Sequence, residues 1–144
     1  MTVSHILKAK GRDVITAGAS TTVSDIARTL SEKRIGAVVI TGAGGKIEGI
    51  VSERDVVKHI GKVGAKALEL PVSDIMTKTV RTARDGDSEA ELMVLMTEHR
   101  IRHLPVVNDG KLAGMISIGD VVKFRIEAIE REAEEMKAYI ATAG

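Results

Sequence analysis

Gly49-Ile50-Val51-Ser52-Glu53-Arg54-Asp55-Val56-Val57-Lys58 decides how this chain is read, because the pattern occurs twice. The second occurrence is Gly114-Met115-Ile116-Ser117-Ile118-Gly119-Asp120-Val121-Val122-Lys123, 65 residues further on. In both, a glycine and two apolar residues lead into Ser-x-x-Asp, and Val-Val-Lys follows. Upstream, Arg34-Ile35 matches Arg100-Ile101 and Thr16 matches Thr82, each at an offset of 66. Further upstream, Val3-Ser4-His5-Ile6-Leu7 matches Val72-Ser73-Asp74-Ile75-Met76 at an offset of 69. The first copy therefore carries three extra residues, near Lys10-Gly11-Arg12. Four matched blocks in one order mark an internal duplication.

Composition bounds what the duplicated unit can be. The 144 residues allow one ordinary domain or two very small units sharing a core. They are 44% hydrophobic and 28% charged, too apolar and too balanced for a disordered chain. Basic residues number 21 and acidic 20, so no basic excess draws the chain to nucleic acid or to an anionic membrane. With no Cys, a disulfide scaffold, a thiolate zinc site and a cysteine nucleophile are excluded. No apolar run approaches the roughly 18 residues of a membrane span, and Met1–Gly11 lacks a signal-peptide core. The expectation is a soluble, cytoplasmic protein. Its only aromatic residues are Phe124 and Tyr139, so any bound base must lie against aliphatic side chains.

Within each copy the periodicities agree. Val23, Ile26, Ala27 and Leu30 recur at helical spacing after Ser20 or Thr22 as a cap. Leu92, Leu95, Met96 and His99 do the same after Asp87-Ser88-Glu89. Short apolar runs follow, at Ala37–Ile40 and Leu104–Val107, and read as buried strands. Turns at Thr41–Lys46 and Asn108–Lys111 lead to second strands at Ile47–Ser52 and Leu112–Ser117, closing two hairpins. A helix is expected to begin at about Asp55 and again at about Asp120. Each unit thus reads strand, helix, strand, turn, strand, helix. The expected division is a first unit over residues 1–70, a second over 71–125 and a helical extension over 126–144. One such unit is near the lower size limit for a stable core, which is reason enough for two to pack together.

The last helix runs long. Val122, Ile126, Ile129, Ala133, Met136 and Ile140 form a heptad-like seam, with Glu127, Glu130, Arg131, Glu132, Glu134, Glu135 and Lys137 on the other faces. Such a seam covers either the chain's own core or a second copy of the chain.

The paired Gly-apolar-apolar-Ser-x-x-Asp blocks, each preceded by a short apolar strand and followed by a helix, resemble the tandem CBS-domain (cystathionine β-synthase domain) pair, or Bateman module. The resemblance runs from Val3 to about Lys123 and is nearest to the stand-alone bacterial CBS-pair proteins. It implies an α/β (α+β) fold of two βαββα units about a pseudo-twofold axis, with the sheets packed together and two clefts between them. It also implies a regulatory ligand rather than a catalytic cofactor: AMP, ADP, ATP, NAD(H) or another adenosyl compound. A homodimer and a protein target of unspecified identity belong to the same implication. Carried onto this sequence, the ribose-binding acid falls on Asp55 and Asp120, and the phosphate-side hydroxyl on Ser52 and Ser117. The strand lining the adenine pocket falls on Ile35-Gly36-Ala37-Val38 and Ile101-Arg102-His103-Leu104-Pro105. Thr16 and Thr82 take the place of backbone contacts from each unit's first strand. The chemistry is coherent, since a carboxylate accepts from both ribose hydroxyls and a helix N-terminus with a serine suits a phosphate.

The copies differ. Pro105, Arg102 and His103 stand where the first copy has Val39, Gly36 and Ala37, while Arg54 stands where the second has Gly119. Arg102 suits a phosphate, as does His103 when protonated, and Ile118 joins the second set. Both clefts are expected to be usable, with different ligands or affinities, and the second copy's residues are the first choice for AMP. NAD or NADH is the alternative ligand, its nicotinamide half along Arg54 or Arg102. A further alternative is a ligand-free dimerisation protein.

Blander readings compete. Asp55 and Asp120 also suit plain helix caps, but their recurrence with Ser three residues before favours binding. His99 and His103 would share a metal only on one helix, and a helix-to-strand change is expected between them. Gly42-Ala43-Gly44-Gly45 lacks the Lys-Ser/Thr of a phosphate loop and reads as a turn. No nucleophile elbow is present, so catalysis is not expected.

Overall fold

A computed structural model describes residues 1–143. The first helix, α1 (Val3–Lys10), precedes a two-residue strand β1 (Thr16–Ala17). Then come α2 (Val23–Lys33), the hairpin β2 (Ala37–Thr41) and β3 (Ile47–Ser52), and α3 (Glu53–Val63). Two short 3-10 segments over 64–74 connect to α4 (Glu89–His99), the hairpin β4 (His103–Asn108) and β5 (Lys111–Ser117), and α5 (Ile118–Ala143). Strand order is β1-β2-β3 in one sheet, β1 parallel to β2 and β2 antiparallel to β3, and β4-β5 antiparallel in the other. The first strand expected in the second copy shrinks to a single parallel bridge, Ala83 to Val106.

The repeat is visible in local detail. Thr22 caps α2 by accepting from the Asp25 N–H, and Ser88 caps α4 by accepting from Glu91. Both helices end on an arginine in the left-handed conformation, Arg34 at φ 53° and Arg100 at φ 52°. Asp109 and Gly110 both have positive φ, the type I′ turn of a tight hairpin, whereas Ala43–Gly45 form one 3-10 turn. The last helix of each copy begins two residues earlier than expected, at Glu53 and Ile118. The reason is that the serine acts as the cap residue and the aspartate sits inside the first turn.

The buried apolar side chains form two clusters, and each borrows from the other copy. Val3, Ile6 and Leu7 of α1 pack with Leu92, Met96, Leu104, Ile116 and Phe124. Val72 and Ile75 pack with Val23, Ile26, Val38, Ile40 and Val51. The exchange is reciprocal: Leu7 lies against Gly114, and Met76 against Gly49, where a Cβ would come within 2.8 Å and 2.5 Å respectively. This explains the glycine that opens each repeated motif. A reciprocal contact of equivalent residues is what an approximate twofold axis produces. Burying Ile6 and Leu7 stabilises the pair by roughly 1.5–3 kcal/mol each, so neither copy has a complete core alone.

Along α5 only Val121 and Phe124 are buried. The seam side chains Val122, Ile126, Ile129, Met136 and Ile140 are exposed, so the seam does not cover the chain's own core.

Candidate functional site

The repeated motif puts its serine at the last residue of a strand and its aspartate in the first turn of the following helix. Ser52 Oγ accepts from the Asp55 N–H at 3.3 Å, and Asp55 Oδ2 accepts from the Ser52 N–H at 2.9 Å. Ser117 and Asp120 repeat this reciprocal cap at 3.2 Å and 2.9 Å. The cap reading of the two aspartates is therefore true, and it leaves Oδ1 of each without a hydrogen bond among the described residues. Two further bonds join the copies' strand starts to the helices: Glu53 N–H to the Gly36 carbonyl, and Ile118 N–H to the Arg102 carbonyl.

Two cavities share Gly36, Ala37 and His103 in their linings. The larger, about 770 Å3, brings Ser52, Arg54 and Asp55 of the first copy against Ile101, Arg102 and His103 of the second. The smaller, about 350 Å3, combines Ile35 with Lys10 of the first copy and Met115 with Ser117 of the second. The larger cavity thus joins the first copy's Ser52–Asp55 junction to the second copy's strand start at Ile101–His103, and the smaller joins Ser117, without Asp120, to the first copy's strand start at Ile35–Ala37. The sequence reading had set Arg102 and His103 beside the second copy's own acid. The twofold arrangement instead turns Arg102 toward the cleft of Asp55, which is also the roomier one.

Other expected residues line neither cavity. Val38 and Leu104 are fully buried in the two cores, Pro105 is buried in β4, and Ile118 packs against the second core. Thr16 and Thr82 are exposed and line neither. The walls expected of them come from the residues just before, Asp13–Ile15 in the small cleft and Thr79–Arg81 in the large one. These two triplets are equivalent at the offset of 66, so the repeat held the signal, although their side chains differ too much to show it. Asp120 also lines neither cavity, and its carboxylate is engaged by the Lys10 ammonium at 2.6 Å.

The larger cleft is lined by aliphatic and basic side chains. Ile50, Val57, Val80 and Ile101 supply aliphatic surface, and Phe124 and Tyr139 lie elsewhere, one in the core and one exposed on α5. Arg54, Arg81, Arg100 and Arg102 stand against two carboxylates, Glu53 and Asp55. Among the described residues none of these four arginines forms a salt bridge.

Burial pushes the His103 imidazole below its ordinary pKa; Glu53 and Asp120 oppose this, while Lys10 and Arg102 add to it. The ring is therefore a neutral hydrogen-bonding group at neutral pH, in place of the cation that the sequence allowed. For Asp120, burial works to raise the pKa, but hydrogen bonds from Lys10 and Ser117 outweigh it and hold the carboxylate ionised. His99 ends α4 and His103 opens β4, so they do not share a helix face. Among the described residues no cluster of three metal-ligating side chains occurs, and no helix is long and apolar enough to cross a membrane.

The sequence profile of the CBS domain matches residues 3–62 and 72–127. The chain belongs to the CBS-domain family. A CBS-domain protein of Agrobacterium tumefaciens of known structure is 46% identical, with a TM-score of 0.85 over 87% of this chain and 99% of that one. A CBS-domain protein of Pyrobaculum aerophilum, solved in complex with AMP, is 28% identical, with a TM-score of 0.74 over 83% of this chain and 89% of that one. An Arabidopsis thaliana protein named as a mitochondrial CBS domain-containing protein is 33% identical over 96% of this chain and 71% of its own length. This CBS pair has mixed helices and strands, two small sheets and a long C-terminal helix.

Proposed function

We propose that the chain is a regulatory sensor of phosphate-bearing adenosyl ligands, bound in the cleft of Asp55 without chemical change. One observation carries the reading: the cleft joins a Ser-capped helix start and a carboxylate oxygen to aliphatic side chains and four arginines that form no ion pair among the described residues. The carboxylate suits a ribose diol, the aliphatic walls suit adenine, and the helix N-terminus with Arg54 suits phosphate. The relative from Pyrobaculum aerophilum with bound AMP supports the ligand class. The basic lining favours anionic nucleotides over a sulfonium such as S-adenosylmethionine. A volume of about 770 Å3 also admits NAD or NADH, with Arg54 and Arg102 available to its pyrophosphate. The reading takes the protein to work in the cytoplasm.

AMP has about 23 non-hydrogen atoms, and at roughly 0.3 kcal/mol each binding is about 7 kcal/mol, near ten micromolar. Calorimetric titration of AMP into wild type and Asp55→Ala tests the site. Losing hydrogen bonds to a charged acceptor should cost about 1.5–3 kcal/mol, and unchanged affinity sinks the assignment. Mass spectrometry of ligand released from purified protein separates AMP from NAD.

A second reading, that a further copy of the chain covers the α5 seam, is favoured by the exposure of Ile126, Ile129, Met136 and Ile140 at heptad spacing. Light scattering should give a dimer for wild type and a monomer for the double variant Ile129→Glu, Met136→Glu. A monomeric wild type ends this reading.

A further inference from the structure

The three residues that distinguish the first copy from the second play no part in the nucleotide reading. They fall where α1 ends, and both of their charged side chains cross to the second copy. Lys10 Nζ donates to Asp120 Oδ2 at 2.6 Å and to the Met115 carbonyl at 2.8 Å. Gly11, at φ 97°, turns the chain. Arg12 then forks onto Asp85, with Nη2 at 2.8 Å and Nη1 at 3.2 Å, and Nη1 also reaches the Ala113 carbonyl at 3.2 Å. In the other cleft the connection is three residues shorter, and Thr77 pairs directly with Ile50 through two backbone hydrogen bonds. Among the described residues no lysine reaches Asp55 there, and its Oδ2 accepts only from Ser52.

We propose that Lys10 is a built-in occupant of the smaller cleft. Its ammonium engages Asp120 where a ribose diol would otherwise bind, so the cleft of Asp55 fills first. The cleft of Asp120 fills only when a ligand displaces Lys10. The role of the diol rests on the nucleotide reading above, but the contact between ammonium and carboxylate does not. Two of the three ammonium donors are used, one on the carbonyl of Met115, which lines the cleft beside Lys10, and one on the Asp120 carboxylate, which does not itself line it. A ligand that takes Asp120 must therefore move the last residue of α1, and Arg12 ties the following turn to Asp85. Occupancy of the second cleft is in this way coupled to the seating of α1 on the second core.

Two measurements decide the matter. AMP is titrated calorimetrically into wild type, Lys10→Met and Asp55→Asn, after thermal unfolding has shown each to be folded. Wild type should bind about one equivalent, weakened by Asp55→Asn. Lys10→Met should bind two, the second at least about tenfold tighter than any second site of wild type. The same number of sites and the same affinities in Lys10→Met, or a loss of affinity, overturn the proposal. If no form binds AMP, the nucleotide reading fails, and limited acylation with acetic anhydride decides on Lys10 itself. Lys10 should react about fivefold more slowly than Lys8 on the same helix, and Asp120→Asn should abolish the difference. Equal rates in wild type overturn the proposal as well.

Discussion

Gly36 and His103 touch across the approximate twofold axis: a Cβ on Gly36 would stand 2.9 Å from the imidazole Cε1 and 3.0 Å from Nε2. The two residues occupy neighbouring places in the repeat, Gly36 just before β2 and His103 at the start of β4. They form the partition between the clefts, since both line both cavities. Gly36 has no positive φ, so the glycine answers to space and not to backbone conformation.

Replacing Gly36 by alanine should therefore push the imidazole aside and leave the backbone unstrained. The obstacle is the end of a half-buried side chain, so the stability cost should stay below about 1 kcal/mol. Ligand affinity should fall by about tenfold, because the displaced ring narrows a cleft. Thermal unfolding and calorimetry with AMP check the two parts separately. A stability loss with unchanged affinity would show that the partition does not shape the site.

Arg100 ends α4 at φ 52°, a conformation that costs an arginine more than a glycine, and its side chain lines the larger cleft. Arg100→Gly should stabilise the fold by about 0.5–1 kcal/mol in urea unfolding. It should also weaken AMP binding by removing a cation from the lining. Gain in one measurement and loss in the other is the expected signature of a strained residue kept for a ligand.

Leu7 is 1% exposed and belongs to the second copy's core. Leu7→Ala should cost about 2–5 kcal/mol. Gly114→Ala, which adds a methyl where Leu7 now packs, should cost about 1–3 kcal/mol. If the exchanged segment matters as described, the two changes together should cost less than their sum, read from a double-mutant cycle in urea.

His103 carries the pH dependence near neutrality. Burial lowers its folded pKa from the ordinary 6.5, so the unfolded chain binds this proton more readily than the folded one. Well above pH 6.5 both states are neutral and the residue adds no pH dependence. As pH falls below that value stability is lost, until the folded ring also titrates. His103→Gln should abolish this part of the difference between urea midpoints measured at pH 8 and pH 5.5. An equal acid loss in the variant assigns the effect to other groups.

Glu89 is 5% exposed at the start of α4, and its only side-chain partner among the described residues is Arg125 of α5, at 3.3 Å. Oε2 has no hydrogen-bond partner among the described residues. Arg125→Ala should strand a buried carboxylate and cost about 1–3 kcal/mol in chemical unfolding, whereas Arg125→Ala with Glu89→Met should recover most of it. Failure of the double change to recover stability would mean that Arg125 acts through its aliphatic stem.

Much of the fold was legible because the chain is written twice. The hairpins at 37–52 and 103–117 follow from apolar runs flanking Gly-rich or Asp-Gly turns, and both copies agree to within about a residue. Helix α4 followed from Ser88 and the spacing of Leu92 and Met96. The missing first strand of the second copy was less legible, since one bridge at Ala83 suffices where the chain runs alongside β4. Ser52, Asp55, Ser117 and Asp120 stood out because capping and binding ask for the same residues at the same spacing; all four form the caps, and Ser52, Asp55 and Ser117 also line a cleft. Asp13–Ile15 and Thr79–Arg81 were not, because their contribution to the cleft walls does not depend on a shared side chain.

By itself the sequence determined the local pieces: duplication, hairpins, capped helix starts and an apolar seam on the last helix. These depend on neighbours a few residues away, where periodicity, turn residues and caps dominate. Which pieces meet was decided only by the tertiary structure. The exchange of α1 and the Val72–Met76 segment carries Lys10 onto Asp120 and leaves Asp55 open. The twofold arrangement sets Arg102 against the first copy's acid. Burial and long-range pairing settle such contacts, and two copies of one pattern look equivalent until they are packed against each other.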